Sequence, residues 1–503
     1  MLVVYSSLAA LVVLLAILVL RRSNSKLPPG PKGHWLFGNA FQVPLRNPWE
    51  WFQTVGIQLN SEIISLDMFG KPMIVVNSQA AADELFGRRS TNFADRPTFP
   101  MINDLMGFDW NIAFMKYGER WKARRAIFRK TFQPPAIYDY KPNIERGART
   151  LLKLLFEKPE DFPRWIRHSI GVIILSSTHG IDVRMDHDPY MDAAEKSTDA
   201  LSHAITPGAF LVDSIPLLKY VPDWFPGAGF KIKAKEWKKA ATRAPQITFD
   251  YAKGEIERGT NKPSVVSRYL KDLEENGTWS KEQEDAVRDA SGVMVFAGTE
   301  SAASSISTFL LAMVLHPEKQ KKAQEAIDVA IGQERLPDFS DEGKIPYIEA
   351  LSREVLRWRP VAPTGVPHYT NKPDHYQGYY IPANCLVIGN SWAILHDSAV
   401  YGADADDFNP DRFMTNGELN KDMPDVKATF GFGRRACAGQ YMAELSLFMI
   451  AASILAVFDI KKPLDENGNE ITPSDQYETG GILHPTPFKC RIIPRNDKAA
   501  TLL

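Results

Sequence analysis

The stretch Phe430-Gly431-Phe432-Gly433-Arg434-Arg435-Ala436-Cys437-Ala438-Gly439 sets one cysteine among glycines and paired arginines, and the apolar run Gln440 to Val457 follows at once. Glycines let backbone N–H groups approach and point at an anion. The start of a helix adds partial positive charge and arginines add full charges, and both favour a thiolate over a thiol. This composition predicts Cys437 as a thiolate ready to bind a metal. The plainer alternative is a structural cysteine buried in a glycine-rich turn.

Three further patterns precede it. Lys281 to Leu315 reads as one long helix, stopped by His316-Pro317. Within it, Ala297-Gly298-Thr299-Glu300-Ser301 puts a glycine where it costs about 1 kcal/mol against alanine. Gly298 is therefore expected to open space beside the helix, with Glu300 and Ser301 supplying an acid and a hydroxyl for proton delivery. For Ser301 the alternative is a bond back to the carbonyl one turn earlier. Glu354 and Arg357 share a helical face, ahead of Pro410-Asp411-Arg412-Phe413; alone, a Glu-x-x-Arg pair is a weak signal. Trp121 and Arg125 lie four apart on a basic helix, an indole N–H and a guanidinium aimed together at a carboxylate.

The spacing Phe-x-x-Gly-x-Arg-x-Cys-x-Gly resembles the haem-ligand loop of the cytochrome P-450 family, and the other patterns stand in that family's order. The resemblance runs from the proline hinge to about Pro494. It implies a mainly α (α+β) helical prism with small β-sheets, holding haem b between the long helix and the cysteine loop. Cys437 would be the axial iron ligand, donating electron density that favours O–O cleavage. Trp121, Arg125, His368 and Arg435 would hold haem propionates, and Phe430, Gly431 and Gly439 would shape the loop. Glu354, Arg357 and Arg412 would form a buried support for it. Gly298, Glu300 and Ser301 correspond to the oxygen-handling segment, with serine in place of the commoner threonine. A serine hydroxyl is less constrained than a threonine's, which predicts poorer coupling of electrons to product. The substrate pocket implied is Phe99, Met101, Met106, Phe108, Phe296, Ala297, Val366 and Ile482.

The implied reaction inserts one atom of O2 into a lipophilic small molecule, by hydroxylation or epoxidation. Electrons would come from NADPH through a separate FAD/FMN reductase, with cytochrome b5 as a further partner. Lys122, Arg124, Arg129 and Lys130 offer charge for an acidic redox partner. The loop before Trp121 and the tail after Phe458 look like fungal monooxygenases of secondary metabolism. Two other classes stay open: a haem-thiolate isomerase, dehydratase or peroxygenase working without a reductase, and a non-catalytic haem sensor. An intact Gly298-Glu300-Ser301 set argues against the first, and an aromatic- and Met-rich pocket loop against the second.

The 503 residues are 44% hydrophobic, enough for a large core, and no low-complexity linker divides them after Pro31. A single catalytic domain over 32–503 is expected. The balance of 59 basic and 60 acidic residues leaves no nucleic-acid footprint. Three cysteines, Cys385, Cys437 and Cys490, make no disulfide framework and fit a reducing compartment. Met1 to Leu20 carries no charge and is followed by Arg21-Arg22. As a helix that run would span about 30 Å, a bilayer's hydrocarbon core. We read 1–20 as a transmembrane signal anchor and 21–31, including Leu27-Pro28-Pro29-Gly30-Pro31, as a basic stop and stiff hinge. That places the protein in the endoplasmic reticulum membrane, single-pass, with its catalytic domain facing the cytosol.

Overall fold

The computed structural model describes residues 26–205, 209–478 and 480–503. The expected anchor and the helix break at Pro207-Gly208 lie outside the described residues. What is described is mainly helical with small sheets, as the resemblance implies.

The centre is α8 (Lys281–Leu315), with the bounds read from sequence. Ser280 caps its start by accepting from the Gln283 N–H, and Glu282 and Glu284 sit in the first turn where they oppose the dipole. Its end falls at His316, before the proline that opens α9 (Pro317–Ile331). Residues on nearly every side of α8 are buried, the mark of a helix enclosed by others. It packs against α2 (Glu119–Phe132), α4 (Phe162–His179), α5 (Pro189–Ile205), α6 (Gly229–Arg258), α10 (Pro346–Trp358) and α11 (Gln440–Val457). Both α8 and α11 are long and apolar enough to cross a membrane, but both are mostly buried inside the protein and are core helices.

Strands β1 (Ile63–Met68) and β2 (Lys71–Val76) form a hairpin, antiparallel with Ile63 opposite Val76. Strand β2 runs parallel to β4 (Leu386–Gly389), which pairs with β3 (His368–Tyr369), giving the order β1-β2-β4-β3. This sheet carries His368 in from the far side of the chain. The turn signal at Asp465 to Gly468 closes a small loop bridged at Leu464 and Glu470. The neighbouring strand β5 (Phe458–Lys461) instead pairs with β6 (Arg491–Pro494).

The segment expected as loop after Phe99 contains a π-helical turn, Pro100–Leu105. It is tied to the short helix Leu211–Ser214 by a 2.9 Å bond from the Met101 N–H to Asp213 Oδ1, and to Lys219 by Asp104 at 2.8 Å. Burial pushes the Asp213 carboxyl up from 3.8 to about 6, against the Met101 bond. A carboxyl raised on folding holds its proton in the native state, so stability is greatest below the unfolded value. It falls as pH rises through roughly 4 to 6, by about 1–3 kcal/mol. Asp213→Asn is expected to flatten that slope while keeping the Met101 bond. Hydrogen exchange of 99–106 and 209–216 across that window checks it.

Candidate active site

Cys437 lies where a tight turn meets α11. Its N–H donates to Phe430 O at 2.6 Å, closing the loop. Gly431 (φ 77°) and Gly433 (φ 56°) take left-handed conformations, and a Cβ on Gly433 would stand 1.8 Å from Phe86 O. Gly433 is therefore needed both for its conformation and for close approach to the Phe86 backbone. Phe432 stacks on Phe86 with ring centroids 5.3 Å apart. A Cβ on Gly439 would lie 3.9 Å from the sulfur.

The electrostatic expectation for the thiol needs correcting. Burial raises the Cys437 thiol, and the Gly439 N–H and the Arg125 charge reduce that rise without reversing it. A bound metal's own charge would act in the opposite direction. The sulfur is enclosed by protein, yet Cys437 is solvent-accessible. The two facts agree if it faces an internal hollow. On α8, surrounded by buried neighbours, Ala297 is exposed and Gly298, Ser301 and Ala302 are half-buried. This one-sided exposure in a core helix also indicates a hollow.

A cluster of buried cations adds the second requirement. Arg96 is 4% exposed and donates to Ala113 O, Val366 O and Pro367 O at 2.8–3.0 Å. Arg435 donates to Ala94 O, Ile112 O and Met115 O, and lies 4.5 Å over the Trp121 ring. Arg125, half-buried, has no hydrogen bond or ion pair among the described residues. Burial lowers all three guanidiniums. Arg435 is pushed to about 10, with Asp95 opposing and Arg125 adding. His368 donates Nδ1–H to Phe93 O at 2.7 Å, and burial first, then Arg96, holds it well below its ordinary value. The imidazole is therefore neutral beside these arginines. Crowded guanidiniums, buried or half-buried, with Asp95 near them but no ion pair among the described residues, fit a ligand that brings anionic groups of its own. Two propionates on a porphyrin, above a sulfur, meet that demand.

Arg96 was not singled out from sequence. The signal available was the pair Asp95-Arg96 set among mostly apolar residues between Phe93 and Met101. Arg124 corrects the expected redox-partner face. It is buried in an ion pair with Asp289 of α8 at 2.5 Å, whereas Lys122, Arg129 and Lys130 stay exposed.

The oxygen-handling segment departs from expectation at two points. A Cβ on Gly298 would meet Ile174 Cδ1 at 3.2 Å, so this glycine serves close packing of α4 on α8; Ile174 takes up the space it was expected to open. Ser301 Oγ donates to Ala297 O at 2.7 Å, the back-bond open to a mid-helix serine. Glu300 is buried and paired with two bases missed in the sequence, Arg167 at 3.7 Å and His484 at 3.4 Å. Burial would raise its carboxyl, but the His484 bond and the Arg167 charge outweigh that and hold it below the ordinary range.

Among the expected substrate contacts, Met101, Met106 and Phe108 are fully buried and belong to the core. Phe108 packs on Phe296, with centroids 5.8 Å apart. Phe99, Val366 and Ile482 keep accessible surface, and Ala297 is exposed. Glu354, Arg357 and Arg412 come together as expected, with side chains no more than 4% exposed. Their bonds reach residues 395–412 and none goes to the cysteine loop. Support passes through α10, which packs against α11.

An accessible cysteine, guanidiniums that form no ion pair among the described residues, and a long core helix with one accessible face fit a haem-thiolate site. The sequence profile of the cytochrome P450 family matches residues 28–491. A cytochrome P450 monooxygenase of Armillaria gallica is 43% identical over 488 residues, covering 96% of this chain and 94% of that protein. Another from Rhodocybe pseudopiperita is 39% identical, covering 96% and 92%. The tryptamine 4-monooxygenase of Psilocybe cyanescens is 35% identical, covering 95% of each. This chain belongs to the cytochrome P450 family and is a haem-thiolate monooxygenase related to those of fungal secondary metabolism.

Proposed function

We propose that this protein hydroxylates or epoxidises a lipophilic small molecule, drawing electrons from NADPH through a separate membrane-bound flavoprotein reductase. Per turnover, one atom of O2 enters the substrate and the other leaves as water, with two electrons and two protons supplied. Haem iron bound to Cys437 would supply the activation of dioxygen. Arg96, Arg125, Trp121 and Arg435 would hold the propionates, and an anion placed beside His368 would favour its protonation. Ser301 and Glu300 would hold and pass protons along α8. Phe99, Ala297, Val366 and Ile482 would line the substrate side.

The observation that carries this reading is the set Arg96, Arg125 and Arg435, buried or half-buried and with no ion pair among the described residues, in a protein whose loop cysteine is accessible. The substrate class is a terpenoid, polyketide or indole-type compound, by analogy with relatives such as the tryptamine 4-monooxygenase. Residues 32–503 form the catalytic domain. Lys122, Arg129 and Lys130 would face an acidic redox partner, reductase or cytochrome b5. Membrane attachment is supported by exposed Trp35, Phe41 and Leu45, and by exposed Leu217, Tyr220 and Trp224. Lys71 Nζ donates to Ser214 O at 3.2 Å and brings those two regions together. We place the chain on the cytosolic face of the endoplasmic reticulum, anchored by 1–20.

The test is a carbon monoxide difference spectrum of the reduced protein, followed by turnover with NADPH and reductase against turnover with peroxide alone. The red-shifted Soret band and NADPH-dependent product are expected. Activity with peroxide alone would replace this reading with a peroxygenase.

A further inference from the structure

Adjacent residues on a helix project about 100° apart, so Glu300 points to a different side of α8 from Ser301. With Ala303 and Ser307 it lines a cleft of about 770 Å³ between α4, α5 and α8, which Ile482 also lines. The fourth wall is a hairpin near the C-terminus. Tyr477 bridges Pro485, the Glu478 N–H donates to His484 O at 2.8 Å, and the Thr486 N–H donates to Gln476 O at 2.9 Å. Three bonds fix it. Ser304 Oγ of α8 donates to Leu483 O, the Leu483 N–H donates to Val361 O at 2.9 Å, and Tyr477 OH donates to Thr308 Oγ1 at 3.1 Å. Its tip meets α5, where a Cβ on Gly481 would stand 2.6 Å from Ile205 Cγ2.

This hairpin sets His484 Nε2 3.4 Å from Glu300 Oε2, with the His484 side chain 22% exposed. Arg167, from α4, reaches the same oxygen at 3.7 Å. The other charged groups facing the cleft are Glu195, Asp199 and His203 of α5 and Glu478 of the hairpin. Burial raises Glu195, with Arg167 opposing and Glu300 adding. Among the described residues, the ion-pair contacts to the acid of α8 are two bases, one from the body of the protein and one from a strap near its end. A guanidinium holds charge but does not release a proton. An imidazole both holds and exchanges protons near neutral pH.

We propose that His484 is a positioning residue through which protons from this outer cleft reach Glu300, while Arg167 keeps the carboxylate turned toward it. The inference rests on the monooxygenase reading, which needs protons on the Ser301 side of α8. A hydronium ion entering the cleft from solvent gives a proton to His484 Nδ1 and is left as water. Its Nε2–H passes one to Glu300 Oε2, and the neutral carboxyl, released from Arg167, can turn toward the Ser301 face. No electrons move in these steps. Because Ile482 and His484 share one hairpin that touches the end of α5, movement of α5 or of a molecule against Ile482 would alter the supply.

The test uses the full haem-loaded chain with Glu300→Gln, His484→Gln, His484→Lys and Arg167→Gln. The Glu300 carboxyl band, isolated by infrared difference against Glu300→Gln, is titrated with pH. Loss of either base is expected to move that titration to higher pH. NADPH-driven O2 uptake with reductase is expected to fall about tenfold or more in His484→Gln, with a larger solvent deuterium effect. Lysine restores the charge but not proton exchange near neutrality. His484→Lys is therefore expected to recover the titration and leave uptake slow. Arg167→Gln, on an exposed side chain, serves where a His484 variant folds poorly. An unchanged Glu300 titration in His484→Gln would overturn the proposal whatever reaction the protein runs. Full recovery of uptake by His484→Lys would overturn it by reducing His484 to a fixed charge. A wild-type chain that takes up no O2 would overturn instead the monooxygenase reading beneath it.

Discussion

Cys437→Ala is expected to fold, to lose the red-shifted carbon monoxide band, and to fall below about one-thousandth of wild-type oxygenation, a loss of roughly 4 kcal/mol in barrier terms. Folding should survive because the loop is shaped by contacts other than the sulfur. The Cys437 N–H bond to Phe430 O is made by the backbone, and Gly431 and Gly433 set the turn. The sulfur faces a hollow, so removing it strands no buried partner. Cys437→Ser separates shape from ligand chemistry. It keeps a small polar side chain but replaces a soft sulfur with a hard oxygen, and iron–sulfur electron donation goes with it. The measurements are thermal unfolding, haem content and the difference spectrum on one preparation. A Cys437→Ala protein that kept the band would remove the sulfur from the site and with it the case for thiolate chemistry.

The sequence made legible those parts of the site that are local in the chain. The turn around Cys437 needs glycines at fixed places, and a long helix stopped by proline announces its own ends. Both were found with their bounds. Gly298 was visible as an anomaly, but its cause was not, because the side chain that uses its space, Ile174, is over a hundred residues away. Arg124 and Arg125 look alike in sequence. One is consumed by Asp289 and the other has no ion-pair partner, a difference set by which side of α2 meets α8. His484 and Arg167 belong to no pattern at all; they matter because a hairpin and a helix converge on Glu300. The thiol was misjudged for a related reason. Counting positive groups nearby omits desolvation, and burial is a property of the fold.

Arg357→Ala is expected to cost about 3–5 kcal/mol, a large share of the 5–15 kcal/mol that holds a typical domain. Arg357 is fully buried, and its fork makes two bonds to Glu354, at 2.6 and 2.8 Å. Its remaining N–H groups donate to Leu395 O at 2.9 Å, Ala405 O at 2.6 Å and Asp407 O at 3.0 Å. Removing it takes that donor from the Leu395 and Ala405 carbonyls in the interior, while Asp407 O keeps Arg412 at 3.3 Å. It also leaves Glu354, itself fully buried, with only the Asn409 N–H at 2.7 Å and Arg412 at 3.3 Å. Lysine is no substitute, since one ammonium cannot match a planar fork with bonds in three directions; Arg357→Lys should recover less than half of the loss. Both variants should loosen residues 395–412 before the rest of the chain, so limited proteolysis should cut there first. Haem content should fall in step with stability, because α10 braces α11 directly behind the cysteine turn. An Arg357→Ala protein with wild-type unfolding temperature and haem content would mean that the buried network is ornamental and that α11 is held by apolar packing alone.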